Sequence, residues 1–370
     1  MIDFSRTIKI IDSIVRQLDK LTSYEGHYEY IHQYNSCNPL MIKKLAIVLV
    51  YLVIILAANS NTLVFAQNIK TASENMHTPS NNTTSSAITH HFALVNGIRM
   101  HYVIAGHGKP VVLLHGWPET WYEWRHIIPS LAKNYTVIAP DLPGLGDSSK
   151  PVSGYDGKTV ADDIYKLVTQ LGFKQIFLVG HYWGGQVAYS YAAAHPNDVR
   201  RLVLLEMPLP GIALAQVNIT PGGGLWWISF HLVPNLPEKL VAGKERLYLS
   251  WFYDHAYNKT AINGSDVTEY VKHYSAPGGM HAGFEYYRAI FDDTSQNKEY
   301  AKTKLTMPVL ALGGDHSFGN LIINSIRTVA NDVRGGVVPN SSHWIPEERP
   351  DFLIKMLENF FGGNTTNTSK

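Results

Sequence analysis

Cysteine is almost absent from this sequence, which excludes two kinds of architecture. The single cysteine among 370 residues is Cys37, so the chain can form neither an internal disulfide nor a thiolate metal site. An excess of charge of one sign is also missing, because 31 lysines and arginines are balanced by 30 acidic residues. A net charge of +1 leaves no basic stripe, and we expect no nucleic-acid partner. What remains is a globular composition, 45% hydrophobic and 16% charged, which can bury a large core.

Long hydrophobic runs are missing except near the N-terminus. Residues 41–66 have a short basic start, an almost unbroken apolar run and a small-residue ending that resembles a cleavage site. We expect a signal peptide or, because 43–66 is nearly long enough to span a bilayer, a membrane anchor. Either one predicts an extracellular or cell-surface protein. Residues 1–40 are of doubtful status, since either Met41 is the true start or the segment is an uncleaved anchor.

Residues 67–89 are rich in Asn, Ser and Thr, which predicts a disordered linker. Nine glycosylation sequons of the form Asn-x-Ser/Thr agree with export, although each alone is weak evidence because the motif is short. They lie at Asn81, Asn82, Asn134, Asn218, Asn258, Asn263, Asn340, Asn364 and Asn367.

From residue 90 onward, short apolar strands alternate with helices. Asn96-Gly97 separates two alternating stretches and predicts a β-hairpin. The later alternation predicts right-handed βαβ units, and therefore an α/β fold with a mostly parallel sheet and helices on both faces. The predicted parts are a core (90–207 and 301–363), an inserted aromatic-rich helical cap (208–300) and a polar tail (364–370). Strands are predicted at 111–114, 136–139, 202–205, 309–312 and 336–338, and helices at 160–171, 186–194, 321–329 and 350–361.

A strand that ends at Gly180 runs directly into a helix through a sharp turn. Glycines on both sides are expected to hold Tyr182 in a strained conformation at the edge of the sheet, where a nucleophile is usual. Two further loops, which also follow strands, carry Asp315 and His343. Open α/β sheets bind their ligands at these strand ends, and the chain order of turn residue, acid and histidine is that of a hydrolytic triad.

Several motifs around this turn agree in order and spacing, and the backbone N–H groups of Trp117 and Trp183 suit an oxyanion hole. The motifs are His115-Gly116-Trp117-Pro118-Glu119, Asp141-Leu142-Pro143-Gly144-Leu145-Gly146-Asp147-Ser148, Gly180-His181-x-Trp183-Gly184-Gly185, and His343-Trp344 followed by Glu347-Glu348-Arg349-Pro350. Together they resemble the epoxide hydrolase branch of the α/β hydrolases, which is related to the haloalkane and haloacid dehalogenases. The resemblance covers about residues 92–361 and implies an α/β-hydrolase fold with an inserted helical cap.

The resemblance also implies roles for individual residues. In that family an aspartate at the turn attacks the substrate carbon, and a histidine-activated water then hydrolyses the resulting alkyl-enzyme ester. His343 matches the base and Asp315 the acid that orients it, while Glu206, at the end of the preceding strand, is an alternative acid. Tyr287 matches a cap tyrosine that donates to the epoxide oxygen. Neither a cofactor nor a metal is expected.

Tyr182 stands where the resemblance requires aspartate, and tyrosine is a poor substitute on three grounds. A phenol with a pKa of about 10 is almost fully protonated at neutral pH. Its oxygen lies several ångströms further from the backbone than a carboxylate oxygen. Attack on an epoxide or alkyl halide would also give an aryl ether, which has no carbonyl for the activated water to attack.

Several interpretations of Tyr182 stay open. An acyl-tyrosine can be hydrolysed, which would permit ester turnover. Alternatively, His343 and Asp315 activate water directly while Tyr182 binds substrate or donates a proton, or the pocket binds a small apolar ligand without catalysis. A one-base change from an aspartate codon is the fourth interpretation. We predict a hydrolase of a small apolar epoxide or ester, with an impaired ligand-binding protein or a dehalogenase as alternatives.

Overall fold

The structure, a computed structural model, describes residues 87–214 and 224–363. The predicted extension (1–40), export segment (41–66) and tail (364–370) lie outside the described residues, as does the predicted linker apart from residues 87–89. Within the described ranges, no helix combines the length and the apolar character that crossing a bilayer requires. The described sequon asparagines are all exposed. They are Asn134, Asn258, Asn263 and Asn340.

One sheet of eight strands organises the described chain, in the order β1-β2-β4-β3-β5-β6-β7-β8. β1 pairs antiparallel with β2 and β2 antiparallel with β4, and every later pair of neighbours is parallel. The expected, mostly parallel sheet is therefore present. The strands are β1 (Thr89–Val95), β2 (Ile98–Ala105), β3 (Lys109–Leu114), β4 (Tyr135–Pro140), β5 (Ile176–His181), β6 (Val199–Leu205), β7 (Val309–Gly314) and β8 (Val333–Val338).

The β1–β2 hairpin turns where the sequence predicted. Asn96 and Gly97 both have positive φ angles, 50° and 83°, which is the conformation of a two-residue type I′ loop. Val95 pairs with Ile98 directly beside the turn. The twist of this loop matches the twist of the two strands, so the register follows from the turn residues.

Helices cover both faces of the sheet. They are α1 (Ile128–Leu131), α2 (Gly157–Gln170), α3 (Trp183–Ala194), α4 (Trp226–Leu232), α5 (Leu236–Val241), α6 (Glu245–Tyr253), α7 (Gly264–Tyr274), α8 (Gly279–Arg288), α9 (Ile290–Tyr300), α10 (Asn320–Val329), α11 (Ile345–Glu348) and α12 (Pro350–Gly362). Each predicted strand and helix lies within one of the observed elements, except that Leu171 is the C-cap of α2 rather than its last residue.

Two buried clusters, one on each face, hold the layers together. Alternate residues of β3 enter different clusters: Val112 and Leu114 pack with α2 and α3, while Val111 and Leu113 pack with α1 and α12. This division follows from the two-residue period of a strand. It explains why the central strands are apolar throughout, because both of their faces are buried.

The helical region between β6 and β7 includes α4 to α9, and its last helix is bonded to the core. The Asp293 carboxylate of α9 accepts from the backbone N–H of Gly157 at 2.7 Å, at the start of α2. Asn297 exchanges two hydrogen bonds, 2.8 and 3.0 Å long, with Gln186 of α3. α9 is therefore fixed to the helices that cover the sheet.

The strand order determines where the candidate site lies. β5, β6 and β7 are parallel neighbours, and Leu205 of β6 pairs with His181 on one side and with Leu312 on the other. The carboxyl ends of these strands therefore bring Tyr182, Glu206 and the loop after β7 side by side.

Candidate active site

The turn after β5 has the strained geometry that the sequence predicted. Tyr182 has φ 49° and ψ −118°, a region that residues other than glycine rarely enter. Neighbouring backbone segments come too close to admit side chains. A Cβ on Gly180 would lie 2.3 Å from the carbonyl oxygen of Gly184, and one on Gly116 would lie 2.8 Å from Cβ of Tyr182. The N–H of Tyr182 donates to the carbonyl of Leu205 at 3.0 Å, which fixes the turn against β6.

The Tyr182 side chain reaches helix α8. Its hydroxyl donates to the hydroxyl of Tyr287 at 3.0 Å, and the side chain of Trp227 also hydrogen-bonds to it. Burial raises the pKa of Tyr182 to about 12 despite these hydrogen bonds, so the phenol is neutral at pH 7. Among the described residues, no hydrogen bond joins this hydroxyl to His343. The two rings instead meet nearly at right angles, with centroids 4.7 Å apart, so the imidazole contacts the ring of Tyr182.

His343 is paired with Glu206. Its Nδ1 lies 3.0 Å from Oε2 of Glu206, a fully buried residue with a strained φ of 52° directly after β6. The N–H of Gly314 donates to the other oxygen, Oε1, at 2.6 Å. A carboxylate at Nδ1 fixes the tautomer of a histidine and leaves Nε2 free to accept a proton. His343 and Glu206 thus form a base–acid pair at the ends of the strands.

The prediction that Asp315 is the acid that orients His343 is wrong. The Asp315 carboxylate accepts from the backbone N–H groups of Asn340 and Ser341 at 2.9 and 3.0 Å. Although burial acts in the opposite direction, these hydrogen bonds lower the pKa of Asp315. Its side chain is 31% exposed and turned toward the chain that precedes His343, whereas Glu206 lies against the imidazole. The residue named as the alternative acid therefore occupies the acid position.

The predicted oxyanion hole requires free backbone N–H groups at Trp117 and Trp183. Trp183 is the first residue of α3, where a helix has no internal acceptor for its N–H. The N–H of Trp117 has no hydrogen-bond partner in the part of the chain that the structure describes. The close approach of Gly116 to Tyr182 brings the two N–H groups to the same end of the sheet. There they can stabilise developing negative charge on an oxygen.

A buried ionic cluster lies behind the turn. Nδ1 of His181 is 3.2 Å from Glu123 and 3.3 Å from Glu119, and its Nε2 is 2.9 Å from the carbonyl oxygen of His343. Burial, together with the charge of Glu123, raises the pKa of Glu119 to about 8. Glu123 and Glu119 hold the pKa of His181 well above its ordinary value, against the effect of burial. The cluster therefore retains protons at neutral pH and supports the loop that carries His343.

A cavity of about 410 Å³ opens beside Tyr182, Tyr287 and His343. Most of its wall is aromatic or aliphatic, and Met207, Leu225 and Phe252 are examples. Its few polar groups include the two tyrosine hydroxyls and the imidazole of His343. Small apolar molecules with one polar centre fit such a lining.

The cavity wall contains most of the residues that the sequence predicted for the site, but neither Asp315 nor Glu206 is among them. Trp227 also lies in the wall, and its role beside Tyr182 was missed. The density of aromatic residues predicted an apolar wall here without indicating which indole would meet the turn residue. The predicted residues that line the cavity are Trp117, Tyr182, Trp183, Tyr287 and His343.

Two groups of side chains in the described ranges have the spacing of metal ligands, with atoms within 4.8 Å of one another. None of these side chains contributes to the cavity wall. In the first group, Nδ1 of His101 is bonded to the Asp141 carboxylate at 2.7 Å. The two groups are His101, Asp141 and Asp147, and Glu119, Glu123 and His181.

Comparisons with known proteins agree on the family. The family model of the α/β hydrolase fold matches residues 109–350. The soluble epoxide hydrolase of Corynebacterium sp. (strain C12) is 43% identical over 283 residues, which are 75% of this chain and 98% of that relative. Epoxide hydrolase 3 of Mus musculus is 31% identical over 274 residues, 71% of this chain and 73% of that protein.

A solved structure gives the same result. The epoxide hydrolase CorEH, without ligand, matches with a TM-score of 0.71 at 42% identity, covering 75% of this chain and 99% of that one. The α/β fold, the base–acid pair at the strand ends and these relatives all lead to one assignment. The chain belongs to the α/β-hydrolase fold family, in its epoxide hydrolase-like branch.

Proposed function

We propose that this protein hydrolyses a small apolar epoxide to a diol by direct attack of water, without an alkyl-enzyme intermediate. His343 and Glu206 activate the water, while the hydroxyls of Tyr182 and Tyr287 hold the epoxide oxygen. The observation that carries the proposal is the 3.0 Å contact of these two hydroxyls at a cavity that His343 also lines. The similarity to named epoxide hydrolases supports the substrate class.

Three observations argue against Tyr182 as the nucleophile. Its hydroxyl is bonded to Tyr287 and not to His343, so no base is positioned to take its proton. A pKa of about 12, raised by burial, leaves almost no phenolate at pH 7. An ether formed with an epoxide would also be stable, because water activated by His343 would find no carbonyl to attack.

The proposed reaction is a single displacement. Water gives a proton to Nε2 of His343 as its oxygen bonds to an epoxide carbon and the carbon–oxygen bond of the ring breaks. The released oxygen takes a proton from Tyr287 or Tyr182, which gives the diol. Glu206 stabilises the imidazolium, and the proton of His343 then returns to the phenolate through solvent. Both phenols suit the acid role because burial keeps them protonated at neutral pH.

A small apolar ester is a second candidate substrate, for a separate reason. The N–H groups of Trp117 and Trp183, which have no partner among the described residues, can bind the oxygen of a carbonyl group. In epoxide hydrolysis by direct attack, the negative charge develops on the epoxide oxygen, which the two tyrosine hydroxyls hold, so these N–H groups have no role. If an ester is the substrate, water activated by His343 attacks the carbonyl carbon and the alcohol leaves.

Oxygen-18 labelling in a single turnover tests the proposed route. Enzyme in excess over a styrene-type epoxide is mixed in ¹⁸O-water, and the diol is analysed by mass spectrometry. Direct attack places ¹⁸O in the diol during the first turnover. In Tyr182→Asp, the matched control, the first-turnover oxygen comes from the unlabelled carboxylate of the new residue, so the diol stays unlabelled.

Three other outcomes would contradict the proposal. Unlabelled first-turnover diol from the unaltered protein would rule out direct attack. A permanent mass increase equal to the epoxide would identify Tyr182 as an alkylated nucleophile. Turnover by Tyr182→Asp alone, with only ligand-induced stabilisation of the unaltered protein, would identify an impaired ligand-binding protein. A parallel panel of aryl esters and haloacetate separates the esterase and dehalogenase alternatives.

We also propose that the protein is exported, with residues 41–66 as signal peptide or residues 43–66 as membrane anchor. The apolar run and its small-residue ending at Ala66, which resembles a cleavage site, support this, and exposure of the described sequon asparagines agrees with it. N-terminal sequencing of native protein is the test. A mature chain that begins at Gln67 indicates a cleaved signal, whereas an intact N-terminus in a membrane fraction indicates an anchor. An intact N-terminus in the cytoplasmic fraction contradicts export.

A further inference from the structure

The turn after β7, residues 315–319, is expected from the sequence to supply the acid, yet it supports the base–acid pair in another way. The N–H of Ser317 donates to the carbonyl of Gly314 at 3.0 Å, which folds the turn back toward β6. The Ser317 hydroxyl then meets Oε2 of Glu206 at 2.5 Å. Oε2 is also the oxygen that contacts Nδ1 of His343, at 3.0 Å.

Each oxygen of the Glu206 carboxylate consequently has a donor from β7 or its turn. Gly314 N–H binds Oε1, and Ser317 binds Oε2 from the side of the cavity, whose wall includes Ser317. The backbone N–H of Glu206 is also bonded to β7, at the carbonyl of Leu312. The carboxylate thus has one orientation available, with Oε2 toward the imidazole.

We propose that Ser317 is a positioning residue of the site: its hydroxyl fixes Oε2 of Glu206 against His343 and limits the negative charge that the imidazole faces. Its effect on turnover rests on the function proposed above, whereas its effect on His343 does not. A hydroxyl that donates to a carboxylate spreads the charge of that carboxylate. Without the hydroxyl, the charge on Oε2 favours the imidazolium more strongly, and at neutral pH less of His343 can accept a proton from water.

The test is an NMR titration of the His343 imidazole in Ser317→Ala, with Ser317→Thr as the variant that keeps a hydroxyl. We expect the midpoint of the titration to move to higher pH by about half a unit to one unit in Ser317→Ala, and to stay near the original value in Ser317→Thr. The acid limb of the pH–rate profile for epoxide hydrolysis should move by the same amount. Ser295→Ala, at an exposed serine of α9, is the control for a general serine-to-alanine effect.

An unchanged midpoint in folded Ser317→Ala would overturn the proposal, and so would an equal shift in Ser317→Thr. The titration needs no turnover. If the midpoint moves while no epoxide is hydrolysed, the positioning role stands and the proposed function alone fails. A lower melting temperature with an unmoved midpoint would mean that Ser317 is only structural.

Discussion

The buried acidic cluster behind the turn should make the protein less stable as the pH rises through neutrality, and Glu119→Gln should reduce this dependence. Burial raises the pKa of Glu119 to about 8, and burial also raises that of Glu347 to about 8, compared with 4.5 for an ordinary glutamate. Between these values the folded protein binds a proton that the unfolded chain has released. The contribution of each of these carboxyls to the free energy of unfolding is therefore greatest at the acidic end of this range, and it falls until the folded carboxyl ionises near pH 8.

The magnitude follows from the number of protons. Each proton held by the folded state alone makes the free energy of unfolding fall by about 1.4 kcal/mol per pH unit. From pH 6 to pH 7.5 Glu119 accordingly contributes a fall of about 2 kcal/mol. Glutamine resembles the protonated glutamate in shape but cannot titrate. In Glu119→Gln the total fall over this range should be smaller by about that amount, and the remainder belongs to Glu347 and other buried groups.

Urea unfolding at a series of pH values, followed by tryptophan fluorescence, measures this difference. Glu299→Gln is the matched control, since that glutamate is 69% exposed and should leave the pH dependence unchanged. The reasoning would be refuted if Glu119→Gln retained the full pH dependence of the unaltered protein.

Three further predictions concern the site itself. Glu206→Gln should lower kcat by about 100-fold or more because the imidazolium loses its carboxylate, whereas Asp315→Asn should stay within about threefold; steady-state rates with the same substrate decide between the two acids. Tyr287→Phe should lower kcat for an epoxide about 100-fold, because it removes one proton donor. Equal rates in this variant and in the unaltered protein would exclude Tyr287 as the acid. Gly314→Ala should destabilise the fold by about 2 kcal/mol in urea unfolding, because its Cβ would lie 2.2 Å from the carbonyl oxygen of Ser342; a neutral effect would contradict this packing.

The sequence predicted features whose causes are local. The glycines around Tyr182 indicated the sharp turn, Asn96-Gly97 indicated the hairpin, and the apolar strands indicated a sheet covered on both faces. Each of these depends on a few consecutive residues and on one physical rule. The structure accordingly has them within a residue or so of the expected positions.

The choice of acid was not predictable in this way. Glu206 and Asp315 both follow parallel strands that are neighbours in the sheet, so sequence position places either one near His343. Which of the two carboxylates contacts His343 depends on the φ of 52° at Glu206. It also depends on the N–H groups of Asn340 and Ser341, which donate hydrogen bonds to Asp315. These are tertiary contacts between segments that are distant in sequence. The indole of Trp227 was missed for the same reason.

The length of the tyrosine side chain has a mechanical consequence as well as a chemical one. An aspartate at the turn would be too short to bond to Tyr287, whereas the longer Tyr182 side chain reaches that residue of helix α8. This hydrogen bond joins the turn after β5 to helix α8. It occupies the position that the substrate oxygen reaches in the proposed mechanism. A substrate therefore has to break the hydrogen bond between the two tyrosines, which costs about 1 kcal/mol. The substrate oxygen can then accept a hydrogen bond from each hydroxyl. Substrate binding and the breaking of this hydrogen bond become a single event. Ligands without such an oxygen break the bond without replacing it, so they should bind more weakly than their apolar surface alone would predict.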